Sequence, residues 1–151
     1  RFAYHKQVKS GYWKGLFGKG EFYAWAGDTF ELLCIEHMPQ LMDALRLHSV
    51  DRDYCYSGKT AEGKGAQIDL IMESKAANTD YLCEMKFSSS KYSISAEYEQ
   101  NLQNKVDAFA VSKMHKDSRS IQVVLISTMG LAAGPHSSIV SQALSLEDLF
   151  S

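Results

Sequence analysis

Apolar and polar positions alternate along this chain with two different periods, and the changes of period divide it into helical and extended stretches. From Asp28 onward the apolar residues Phe30, Leu33, Cys34, Leu41 and Leu45 fall on one helical stripe. Asp28 suits the N-cap of that helix, and Glu31 follows at the capping-box position. Pro39 predicts a kink or a division further along. Before it, Arg1 to Gly27 is rich in glycine and aromatic residues without a sustained period, which predicts an irregular, partly docked segment. Three extended stretches follow. Val50 to Ser57 is the weakest, because its tyrosines alternate with many charges; Ala66 to Glu73 and Tyr81 to Phe87 are stronger, with Lys75 to Asp80 between them as a turn. Ser95 to His115 predicts a second long helix, with Leu102, Val106, Phe109 and Ala110 spaced three to four apart. Ile121 to Thr128 is β-branched and almost continuously apolar, as in a buried central strand. A loop with Gly130, Gly134 and Pro135 comes next, then a short terminal segment ending in Leu146-Glu147-Asp148-Leu149-Phe150. The order is helix, three strands, helix, strand, which predicts one α/β domain.

Pairing the two strong strands as an antiparallel hairpin, with its turn centred between Ala76 and Ala77, sorts their side chains by face. Ile71 then stands opposite Leu82, Asp69 opposite Glu84, and Gln67 opposite Lys86. The other face carries Met72 with Tyr81, Leu70 with Cys83, and Ile68 with Met85, all apolar and suited to a core. A slip of one residue would bury the charges, so the register is strongly constrained. Two carboxylates directly opposite have Cβ atoms roughly 4.5–5.5 Å apart and repel. A raised pKa or a hard cation between them relieves that repulsion. Lys86 lies roughly 6.6 Å further along the strand from Glu84, where an ammonium can orient water or stabilise charge growing on phosphorus. The bland alternative is a sheet edge laced by a Lys86 salt bridge.

Composition narrows the setting. The chain has 151 residues, 45% hydrophobic and 23% charged, an ordinary balance for a globular domain. No apolar run approaches the roughly 20 residues that span a bilayer, and no signal-peptide pattern follows Arg1, so a cytoplasmic protein without a membrane partner is expected. The net charge of −2 argues against coating nucleic acid by charge alone. Arg1, Lys6, Lys9, Lys14 and Lys19 nevertheless precede the first acid, Glu21; they suit either a solvated linker or phosphate contacts. Residues 1–22 are expected to be a linker or the end of a preceding domain, and 23–151 the domain itself. Three cysteines without a Cys-x-x-Cys pair argue against a disulfide framework or zinc knuckle, with Cys34 and Cys83 expected in the core. Gly58-Lys59-Thr60 resembles the end of a P-loop, but Asp53 stands where that loop needs glycine.

Gln67-Ile68-Asp69-Leu70 followed by Cys83-Glu84-Met85-Lys86 resembles the core motif of the PD-(D/E)XK phosphodiesterases. Trp25-Ala26-Gly27-Asp28-Thr29-Phe30-Glu31 and Leu146-Glu147-Asp148-Leu149-Phe150 add a likeness to the C-terminal nuclease-like domain of bacterial AAA-type ATPases, over about residues 23–150. The resemblance implies a restriction-endonuclease-like α-β-β-β-α-β core, a mixed central sheet flanked by helices. It implies a Mg²⁺- or Mn²⁺-dependent nuclease acting on DNA more readily than RNA, with Asp69 and Glu84 as metal ligands and Lys86 beside them. Glu31 takes the place of a further acid on the first helix, although the capping box explains it equally well. Gln67, Tyr98 and Lys105 become candidate substrate contacts, the last two competing with a merely solvated helix face. The Gln-x-x-x-Tyr motif of some relatives is absent, since Asn104 stands four residues after Gln100. An ATPase domain would precede this one in the parent chain. Two further classes stay open: an inactive nuclease-fold module that binds nucleic acid or regulates the ATPase, and a charged oligomer interface.

Overall fold

A computed structural model describes residues 20–151; the lysine-bearing stretch expected to be irregular falls, up to residue 19, outside the described residues. The described elements are α1 (Gly20–Glu36), α2 (Met38–Ala44), β1 (Arg52–Lys59), β2 (Gly65–Ser74), β3 (Thr79–Lys86), α3 (Ala96–Ala110), β4 (Ser120–Ser127), a 3₁₀ turn at Ser137–Ile139, β5 (Gln142–Ser145) and α4 (Leu146–Phe150). The strands form one mixed sheet in the order β1-β2-β3-β4-β5, with the first three antiparallel and the last three parallel. The expected α/β architecture is therefore present, with helices on both faces.

Two layers of core fix these faces. On one, Phe30 and Cys34 of α1, Leu41 of α2 and Leu149 of α4 pack on Leu70, Met72, Cys83, Met85, Val124 and Ile126. On the other, Leu102 and Phe109 of α3 cover Ile71, Leu82, Val123 and Leu125. The buried Cys34 and Cys83 are core residues, as their apolar surroundings implied. No described helix is long and apolar enough to cross a membrane.

Three expectations need correction. The first described helix already covers Gly20–Glu36, so Asp28 and Glu31 lie inside it and no capping box forms there. Phe22, Ala26, Phe30 and Cys34 are buried at four-residue intervals, and that stripe outweighs the cost of Gly27, about 1 kcal/mol relative to alanine. The helix does divide, with α2 beginning beside Pro39. Secondly, the terminal segment holds a strand, β5, pairing parallel to β4, before Ser145 caps α4 in a capping box with Asp148.

The third correction concerns the hairpin. From the turn to Leu70 the register is as expected: Leu70 faces Cys83, Ile71 faces Leu82 and Met72 faces Tyr81. Pairing stops there, so Asp69–Glu84, Gln67–Lys86 and Ile68–Met85 are not ladder partners. The cause is a bulge: Tyr54 pairs with Ile71 but Tyr56 with Ile68, so Asp69 and Leu70 together oppose Cys55. The extra residue turns Ile68 onto the α3 side, where it packs with Ile71, Leu82 and Phe109.

At the turn end, Asn78 takes a left-handed conformation (φ 49°) and donates its amide to the Ser118 carbonyl. The cross-strand pair Glu73–Asp80 would repel, but the Arg119 guanidinium lies 3.2 Å from Glu73 and 3.1 Å from Asp80. Arg52 adds a second contact to Glu73 at 2.7 Å, and His115 Nδ1 meets Asp80 at 2.7 Å. Burial pushes Glu73 up, but the arginines more than offset it and hold its carboxyl below the usual range. Removing one member of such a buried network strands the others. Arg119→Met is expected to lower unfolding free energy by about 3–5 kcal/mol, measured by urea denaturation; a loss comparable to an ordinary surface substitution would refute this role.

Candidate active site

Where β2 and β3 part, their backbone groups need other partners, and Asp69 supplies one. Its Oδ2 accepts the Met85 N–H at 3.0 Å, in the place a strand carbonyl would otherwise take. The half-buried Asp69 is thereby anchored at the fork. Glu84 continues on β3, whose ladder with β4 pairs Glu84 with Leu125 and Lys86 with Ser127. Strand alternation turns Glu84 toward α3, where its residue is only 2% exposed. There Lys105 reaches it from α3, with Nζ 2.8 Å from Oε1.

The electrostatics follow from this placement. Burial first, and then the Asp69 charge, push the Glu84 carboxyl up to about 7, although Lys105 and Lys86 pull it back. Glu31 of α1 is also raised, by burial and by Asp69 and Asp28, with Lys86 opposing. Lys86 stands over the Tyr98 ring, 4.8 Å from its centroid, a cation–π contact that fixes the direction of its flexible stem. Burial drives the Tyr98 phenol far above its ordinary value. Its buried hydroxyl makes no hydrogen bond of good geometry, although the Glu84 charge acts on it.

Beside this fork opens a cleft of about 480 Å³. Gln67, Lys86, Tyr98 and Lys105 all line it, so the candidate lysine and the three candidate substrate contacts share one concavity. Ser95, Glu97 and Asn101, which were not among the sequence candidates, also line it, from the N-cap and first turns of α3. Tyr98, Asn101 and Lys105 are spaced three and four apart, the interval of one helical face, and that was the available signal. Ser95 caps α3 by accepting the Tyr98 N–H at 3.0 Å, which sets the pitch of this wall.

The three candidate acids do not converge equally. Among the described residues, no three His, Cys, Asp or Glu side chains form a ready cage for a metal ion. Glu31 feels the charge of Asp69 and Lys86 without completing such a group. Asp69 and Glu84 remain as two hard oxygen donors whose charges disfavour one another. That donor set fits a divalent ion of the magnesium type, which takes one or two carboxylates and fills its other positions with water and substrate oxygens. No protein-family model matches the chain, and no curated protein is significantly similar to it.

Two measurements probe this arrangement without substrate. Asp69→Asn keeps an oxygen for the Met85 N–H while removing a charge beside Glu84, so in metal-free buffer it is expected to be neutral or mildly stabilising, within about 1 kcal/mol. Asp69→Ala orphans that N–H and should cost about 1–3 kcal/mol; equal losses in both variants would contradict the role of Asp69 at the fork. Because the folded protein holds the Glu84 proton more tightly than the unfolded chain, this group contributes stability below pH 4.5 that is lost as pH rises toward 7. The stability difference between the protein and Glu84→Gln should change by on the order of 3 kcal/mol across that window, read from denaturation midpoints. A flat difference would refute the raised carboxyl.

Proposed function

We propose that this chain is a metal-dependent phosphodiesterase, a nuclease of the PD-(D/E)XK type acting on DNA more readily than RNA, and that it serves as the C-terminal domain of a larger ATPase. The observation carrying this reading is the fork of β2 and β3, with Asp69 and Glu84 at its head and Lys86 opening into the adjoining cleft. The motif resemblance supports the same assignment and is the source of the DNA preference and the ATPase link.

Asp69 and Glu84 would hold Mg²⁺ or Mn²⁺, which when bound supplies a Lewis acid for the phosphodiester and offsets its negative charge. Asp69 is suited to this task because the Met85 N–H fixes its orientation. Glu84 is suited because a buried acid beside another acid gains most from a cation. Lys86, steered by the Tyr98 ring, positions the attacking water or stabilises charge growing on the phosphate. Gln67 and Asn101, on opposite walls, can hydrogen-bond the sugar-phosphate chain.

The ion pair between Lys105 and Glu84 favours a second reading. A carboxylate already neutralised suits an inactive nuclease-fold module that binds nucleic acid or regulates its ATPase. Nicking of supercoiled plasmid with Mg²⁺ or Mn²⁺ separates the two. Lys86→Ala is expected to lower cleavage by at least a hundredfold, the lower range for a positioned proton-transfer group, while Mn²⁺ binding measured by calorimetry persists. Asp69→Ala should remove both. Cleavage retained in Lys86→Ala would refute the role of that lysine, and no metal-dependent nick on any DNA would favour the inactive module.

A further inference from the structure

Lys105 already occupies the position of a counter-ion to Glu84. The glutamate is buried and the lysine partly so, with side-chain exposures of 3% and 16%, and Nζ lies 2.8 Å from Oε1. The same lysine lines the cleft with Lys86, Gln67 and Asn101. One end of its side chain thus serves the carboxylate, while the space beside it is where a polyanionic chain would lie.

These two neighbourhoods compete for one ammonium. A divalent ion between Asp69 and Glu84 would face Lys105 across a carboxylate sheltered from water, where screening is weak and like charges repel strongly. Lysine can yield, because its charge rides on a flexible four-carbon stem; an arginine fork in a bidentate contact would yield less readily. The turn end of the hairpin shows that contrast, since Arg119 there bridges Glu73 and Asp80.

We propose that Lys105 is an exchangeable counter-ion: it neutralises Glu84 in the metal-free protein, is displaced when a divalent cation binds, and then turns its ammonium to a backbone phosphate of the nucleic acid in the cleft. This inference rests on the metal-dependent nuclease reading above. It assigns Lys105 a positioning role that couples the two ligands. Metal entry adds positive charge to a site where Lys86 and Lys105 already balance Asp69 and Glu84, and an anionic phosphodiester offsets the surplus. Metal and substrate therefore bind with positive coupling, each tightening the other.

The test is amine-acylation footprinting of the full chain, read by mass spectrometry, in the Lys86→Ala background so that DNA stays intact. Lys105 should be protected without metal, labelled severalfold faster with millimolar Mn²⁺, and protected again when DNA is added. The exposed Lys59 and Lys75 serve as controls whose labelling Mn²⁺ leaves unchanged. Asp69→Asn should abolish the response to Mn²⁺. If calorimetry shows Mn²⁺ binding while Lys105 stays protected, the exchange is wrong and the metal reading survives. If Mn²⁺ fails to bind, both fall. If Mn²⁺ exposes Lys105 but bound DNA does not cover it, the phosphate contact is overturned.

Discussion

The fork between β2 and β3 is the constraint from which the rest of the site follows. Up to Leu70 and Cys83 the two strands share a regular antiparallel ladder; beyond it β2 stays with β1 and β3 stays with β4. Separation exposes backbone donors that a sheet normally satisfies, and Asp69 closes one of them through Met85. The bulge at Asp69 and Leu70 makes this geometry by shifting the β1–β2 register at that point. An acid is thus held at the point where the sheet opens, next to a second acid buried beneath α3.

The hairpin carries acids at both ends, and the two ends solve like-charge repulsion differently. At the turn, Glu73 and Asp80 are direct cross-strand partners, compensated by Arg119, Arg52 and His115. Two of those partners are arginines, and the Arg119 guanidinium is rigid and buried, so this end reads as a structural clamp. At the fork, Asp69 and Glu84 have one lysine in direct contact and another held over an aromatic ring. Burial outweighs that compensation, and the Glu84 carboxyl is pushed up to about 7. Acids perturbed in this way beside a cleft concentrate at functional sites.

The cleft lies beside this electrostatic site. Its walls come from the start of β2 and one face of α3, elements whose relative position is set by Ile68, Ile71 and Leu82 against Phe109. Tyr98 belongs to both the wall and the site, since its ring steers Lys86 while its buried hydroxyl lies within the field of Glu84. Packing of α3 on the sheet therefore determines the distance between cleft and acids.

How much of this was legible in the chain depends on the range of the interaction concerned. Period-two alternation, a turn and an apolar face were enough to place the hairpin register from Leu70 to Met72, because they are local properties of adjacent strands. The same kind of signal located β4 and α3. Helix α1 was read as starting late because glycines and aromatics obscured the Phe22–Cys34 stripe, whose value is realised only against the sheet. Strand β5 escaped because its four residues carry little pattern and depend on β4 for their ladder. The bulge, the parting of the strands and the Lys105–Glu84 ion pair required the tertiary structure, since each is decided by a neighbour distant in sequence: β1 for the bulge, β4 for the fork, α3 for the lysine. By itself the sequence determined which residue types could share a face; packing decided which charges meet there, because burial and charge compensation depend on elements that only the folded chain brings together.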